Sequence, residues 1–190
     1  MEILKERIRK EGIVQSNDVL ILDAILNHQV DPELIMEMGR EFARRFQGKR
    51  ITKVVTIESS GIPIAFATAA ELKVPMIFAR RKKTLTTDED CYCERVPSFT
   101  KGIVTDIMIS RSLLSPNDHV LVIDDIIANG DAARGIIRII EQSGAKIVGF
   151  GVAVEKAFQQ GANSIRDMGV QLDALVTILR LEPGNIVMAD

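Results

Sequence analysis

Asp124 and Asp125 are adjacent carboxylates that close a run of four apolar residues, Val120-Leu121-Val122-Ile123, three of them β-branched. Such a run reads as a strand buried on both faces of a parallel sheet, with the two acids at its carboxyl end. Ile126 and Ile127 follow, and then a turn of small and polar residues, Ala128, Asn129, Gly130, Asp131 and Ala132. After the turn, residues 134–140 carry apolar side chains at helical spacing. A strand, a tight turn and a helix N-terminus form an anion site, because unpaired backbone N–H groups and the helix dipole converge there. Open α/β sheets bind their ligands at the carboxyl ends of the strands. Two acids beside an anion cradle would repel a phosphate unless they serve another part of the same ligand. Ribose hydroxyls and a divalent cation are the groups that suit them. The competing reading is that Asp124 and Asp125 only cap the turn.

A second unit repeats the design. Residues 51–57 read as a strand and end in the polar loop Glu58-Ser59-Ser60-Gly61, before a helix over about 64–73. The loop is either a second anion site or a serine-rich helix cap. Together the two loops suit a ligand with phosphates at both ends: a phosphate, free ribose hydroxyls and a metal-bound pyrophosphate. Two further groups of charge lie at strand ends. Arg80-Arg81-Lys82-Lys83 follows the strand over 75–79, and Lys156 leaves the strand over 146–154. Either can be solvated surface; either can also face an anionic ligand.

The elements that must position these groups alternate as in an α/β domain. Asp31 can cap a helix that begins at Pro32, with Leu34, Ile35, Met38, Phe42 and Phe46 as its buried stripe. Residues 92–99 and 103–110 read as an antiparallel pair joined by Thr100-Lys101-Gly102, and residues 162–168 and 172–179 as a short helix and a last strand. The first thirty residues depart from the alternation: a short amphipathic helix over 1–10 precedes apolar stretches at 19–22 and 24–26. The expectation is one α/β domain over 1–190. It has a mainly parallel twisted sheet of about five strands flanked by helices (31–180), an antiparallel flap, an N-terminal hood (1–30) and a tail (181–190) that folds back.

Composition bounds the function. At 190 residues, 46% apolar and 26% charged, the chain can bury a substantial core. A net charge of −2 argues against a grip on nucleic-acid backbone, and seven Phe, one Tyr and no Trp give little stacking surface. No apolar run approaches a membrane span, and Glu2 and Glu6 do not suit a secretory signal, so a cytoplasmic location is expected. Cys91 and Cys93 lie two apart in a strand, a poor geometry for a bridge, and no second Cys or His pair completes a zinc site. His28 and His119 read as packing or hydrogen-bonding residues. Gly149-Phe150-Gly151 begins a dinucleotide fingerprint but lies within a strand, and position 154 is Val rather than Gly.

The stretch 120–132 resembles the phosphoribosyl-diphosphate signature of the type I phosphoribosyltransferases. Nearly end to end, the chain is similar to the Bacillus-type xanthine phosphoribosyltransferases. The matches include Leu20, Asn27, Thr56-Ile57-Glu58-Ser59-Ser60-Gly61-Ile62, Ala128-Asn129-Gly130 and Val154-Glu155-Lys156. The resemblance implies a purine-salvage reaction: xanthine and phosphoribosyl diphosphate give xanthosine monophosphate and pyrophosphate. It implies Mg²⁺ held mainly by the substrate's diphosphate, and a homodimer. Asp124 and Asp125 would orient the ribose, while Ala128, Asn129, Gly130, Asp131, Ala132, Ser59, Ser60, Arg80 and Arg81 would hold phosphoribosyl diphosphate. A strained or cis peptide is implied within residues 58–60. Leu20 would be an apolar wall for the base, Asn27 a hydrogen-bonding amide and Lys156 a cation beside it. The loop after Arg81 would be a mobile lid.

One departure bears on the substrate. In the hypoxanthine–guanine branch an aspartate that takes the ring proton usually stands at the position of Ala128. Xanthine ionises near neutral pH, so an alanine at 128 and a lysine at 156 together favour its anion. The alternatives are a hypoxanthine/guanine enzyme and a purine regulator that holds phosphoribosyl diphosphate without turnover. The latter is disfavoured because no winged helix and no basic excess are present.

Overall fold

The structure, a computed structural model, describes residues 1–81, 90–98 and 103–190. The expected lid and the turn at 100–102 fall outside these residues, with Lys82 and Lys83. Helix α1 (Glu2–Glu11) buries Leu4 and Ile8. The short strands β1 (Ile13–Val14) and β2 (Leu20–Ile21) pair antiparallel. A single π-helical turn over Asp23–Asn27 follows, in which the His28 amide donates to the Asp23 carbonyl at 3.0 Å. Helix α2 (Pro32–Arg45) starts as its sequence predicts, with the Asp31 carboxylate accepting from the Glu33 and Leu34 amides. Leu34, Ile35, Met38, Phe42 and Phe46 are all buried. The Asp31 carboxylate also meets Arg7 at 2.6 Å, which ties the hood to the core.

Strand β3 (Lys53–Ile57), helix α3 (Ile62–Leu72) and strand β4 (Met76–Ala79) form the first strand-helix-strand unit. The antiparallel pair β5 (Cys91–Ser98) and β6 (Ile103–Ser110) is the expected flap. Next come β7 (His119–Ile127), α4 (Asp131–Gln142), β8 (Lys146–Lys156), α5 (Gly161–Asp167), β9 (Leu172–Glu182) and β10 (Asn185–Met188). The main sheet has six strands in the order β10-β9-β8-β7-β3-β4, one more than expected. The extra strand comes from the tail. β9 runs on to Glu182, Gly184 turns the chain with φ 73°, and β10 pairs back antiparallel. The other sheet neighbours are parallel.

Each face of the sheet carries its own core. On one face α2 and α3 pack with the hood, burying Phe42, Ile64, Ala65 and Leu22 against Val54, Leu121 and Ile123. On the other, Ile136, Ile137, Ile139 and Ile140 of α4 pack with Ile165 of α5 and the flap residues Val96 and Ile107. The glycines at 149 and 151 serve packing on the first face: a Cβ on either would strike the rings of Phe46 and Phe42. No dinucleotide cradle is involved. Because α3 leaves β3 on one face and α4 leaves β7 on the other, a crevice opens between the carboxyl ends of these adjacent strands.

Candidate active site

Strand β7 does not stop at its acids. It continues through Asp124 and Asp125 to Ile127, because β8 keeps pairing it: Asp124 faces Val152 and Ile127 faces Glu155. Pairing with β3 ends earlier, at Val55–Val122. The acidic end of β7 therefore projects past β3 into the crevice. A cavity of about 160 Å³ lies there, lined by Arg81, Asp124, Ala128, Asn129, Gly130, Asp131 and Ala132 among others. The candidates Asp125, Ser59, Ser60, Arg80, Leu20, Asn27 and Lys156 are not part of its lining.

Burial pushes the Asp124 carboxyl well above the usual carboxylate range, and the neighbouring Asp125 charge adds to the effect. The Asp125 amide, which donates to Asp124 Oδ1 at 3.0 Å, and the Arg81 charge oppose it. A charge on Asp125 beside the buried Asp124 carboxyl disfavours ionisation of Asp124 unless hydroxyls or a cation come to it. Gly130 takes φ 81°, a left-handed conformation that favours glycine, and so lets the loop turn directly into α4.

The loop after β3 holds a cis peptide between Glu58 and Ser59, within the stretch where the resemblance implied one. Glu58, which residue reasoning left without a role, fixes the basic corner. Its carboxylate accepts from the Arg81 amide at 2.6 Å and pairs with Arg80 at 2.9 Å, while its carbonyl accepts from Arg81 Nε at 2.9 Å. The guanidinium of Arg81 is thereby directed along the crevice wall. The signal was an acid at one strand end and a basic pair at the next, β3 and β4 being neighbours.

On the hood side, Lys156 is buried and its ammonium donates to the Asp18 carbonyl at 2.7 Å. Burial lowers its pKa. Leu20 is buried two residues beyond Asp18, so the structure brings Lys156 and the β1–β2 hairpin together. Asn27 is exposed and its amide reaches the Asp23 carboxylate at 3.4 Å. Among the described residues no cluster of three His, Cys, Asp or Glu could hold a metal ion, and no helix is long and apolar enough to cross a membrane. Cys91 and Cys93 are thiols and form no disulfide with each other. Sequence reasoning also missed Gly161, whose amide donates to the Ala128 carbonyl at 2.9 Å and supports the loop from α5. That contact joins segments more than thirty residues apart and leaves no local pattern.

Comparison with known proteins identifies the family. Residues 22–177 match the family described as "Phosphoribosyl transferase domain". The chain is 52% identical over 186 residues to the xanthine phosphoribosyltransferase of Moorella thermoacetica, covering 98% of this chain and 95% of that one. It is 50% identical to that of Bacillus mycoides, covering 98% and 94%. Among solved structures, the adenine phosphoribosyltransferase of Rhodothermus marinus superposes with a TM-score of 0.76 at 25% identity, covering 94% of this chain and all of that one. A match over most of the length, on a sheet whose acidic strand end and glycine loop meet at the switch point, is decisive: the chain belongs to the phosphoribosyltransferase family.

Proposed function

We propose that this protein transfers the 5-phosphoribosyl group of phosphoribosyl diphosphate to xanthine, giving xanthosine 5′-monophosphate and pyrophosphate in purine salvage. The observation that carries the reading is the near full-length identity of about half to proteins named xanthine phosphoribosyltransferase. As the bond from the ribosyl carbon to the diphosphate breaks and the bond to the base nitrogen forms, positive charge develops on the ribosyl ring. The chain's work is therefore positioning and electrostatic stabilisation, with no covalent nucleophile. The loop at Ala128, Asn129, Gly130, Asp131 and Ala132 would take the 5′-phosphate at the start of α4, and Asp124 and Asp125 the ribose hydroxyls. Arg80, Arg81 and the amides at Ser59 and Ser60 would take the departing pyrophosphate.

Mg²⁺ is commonly bound through one or two carboxylates plus substrate phosphates, and the acidic pair Asp124 and Asp125 suits that mode. When bound, the ion would neutralise charge on the diphosphate. Lys156 would attract the xanthine anion, with Leu20 and Asn27 beside the base, and Ala128 adds no carboxylate at its own position to repel it. The resemblance further suggests a cytoplasmic homodimer.

The test is product formation. Xanthosine monophosphate and pyrophosphate should appear in equal amounts from xanthine and phosphoribosyl diphosphate. Asp125→Asn, nearly isosteric, should keep the fold and lower turnover by ~10²-fold or more. Near-normal turnover in a folded Asp125→Asn protein removes the ribose role from that residue.

A further inference from the structure

Helix α5 grips the phosphate loop from below. Besides the Gly161–Ala128 hydrogen bond, the two backbones are so close that a Cβ on Gly130 would lie 2.8 Å from Gly161 Cα. Arg134, on the first turn of α4, divides its guanidinium between the two helices. One arm reaches Asp131 Oδ1 at 2.6 Å and the other donates to Ser164 Oγ at 2.6 Å. Ser164 in turn donates to the Gly161 carbonyl at 2.7 Å. These contacts link Asp131, Arg134, Ser164, Gly161 and Ala128 in a continuous polar chain under the loop. At its far end α5 is anchored again: Arg166 makes a two-pronged pair with buried Glu155 at 2.7 and 2.8 Å, next to Lys156.

Packing of α4 does not require this clamp, since four buried isoleucines seat the helix. What the clamp does touch is the cavity wall. Asp131 lines the cavity, and an acid there would repel a phosphate unless a cation neutralises it. Arg134 supplies that cation, and charge-assisted bonds of this kind are short and directional. We infer that Arg134 and Ser164 are positioning residues for the phosphate end of the ligand: they fix the loop amides on α5 and neutralise Asp131. This rests on the proposed reading of the loop as a phosphate site.

Ribose 5-phosphate is the probe. In the unsubstituted protein it should protect the amides of residues 129–132 from hydrogen exchange. Ser164→Ala should weaken its binding roughly tenfold, and Arg134→Met more than that, because small misplacements of a positioning group are costly. Arg134→Lys, which keeps the charge but cannot fork, should recover only part of the loss. The KM for phosphoribosyl diphosphate should rise in parallel and by more than that for xanthine, because Arg134 and Asp131 lie at the start of α4, where the phosphate would sit. Losses in the double variant should be less than additive if the two side chains act as one unit. Absent protection in the unsubstituted protein overturns the phosphate-loop reading and the clamp with it. Protection combined with unchanged affinity in folded Ser164→Ala and Arg134→Met, or equal KM increases for both substrates, overturns the clamp alone.

Discussion

A Cβ built on Gly61 would lie 2.7 Å from Oδ1 of Asp124, and still closer to Thr56 Oγ1. The loop after β3 and the acid on β7 thus share one space, and only a residue without a side chain lets them meet. Gly61→Ala should cost about 1–3 kcal/mol of stability through overpacking. Turnover should fall as well, because the Asp124 carboxylate must move. Denaturant midpoints and kcat measured together check this; a variant with both values unchanged would show that the contact is slack.

Asp124 should limit stability while serving activity. Its folded-state pKa is raised, first by burial and then by Asp125, so the folded protein holds the proton more tightly than the unfolded chain. The stability linked to this group is fully present below the unfolded pKa and is lost as pH rises through the raised folded value. Asp124→Asn keeps the oxygen that accepts from the Asp125 amide but cannot ionise. It should be more stable than the parent at pH 7 by ~1–2 kcal/mol, a difference that narrows toward pH 4, while turnover drops. Unfolding curves across pH give the answer, and lower stability of Asp124→Asn at neutral pH would contradict the assignment.

The proposed part of Ala128 in base choice can be tested. An aspartate there would place a negative charge on the cavity wall, which repels an anionic base more than a neutral one. Ala128→Asp should reduce kcat/KM for xanthine more than for hypoxanthine, by a difference on the order of 1–3 kcal/mol. Equal losses for the two bases would remove the missing carboxylate as a determinant.

The parts of the site that were legible in the sequence are those encoded by continuous chain. Val120 to Ile123 reads as a buried strand because every residue is apolar, and the turn after it because Asn129-Gly130 breaks the pattern. Asp31-Pro32-Glu33 marks the start of α2 through local capping chemistry, and the structure shows that cap. The sixth strand was hidden because 185–188 is only four residues long and is stabilised by its hairpin with β9. The end of β7 was placed too early because a carboxylate pair looks like a strand terminus, whereas pairing with β8 carries the backbone through it. Glu58, Gly161, Arg134 and Ser164 act across the fold, and the hold of Lys156 on Asp18 spans 138 residues. Periodicity and propensity carry no information about such contacts.

The proposed reaction moves a phosphoribosyl group onto xanthine. Pyrophosphate release with xanthine, guanine, hypoxanthine, adenine and orotate, each under the same conditions with phosphoribosyl diphosphate and Mg²⁺, tests it most directly. The highest kcat/KM is expected with xanthine, lower values with guanine and hypoxanthine, and no appreciable release with adenine or orotate. A higher kcat/KM with any other base, or no release with xanthine, would contradict it.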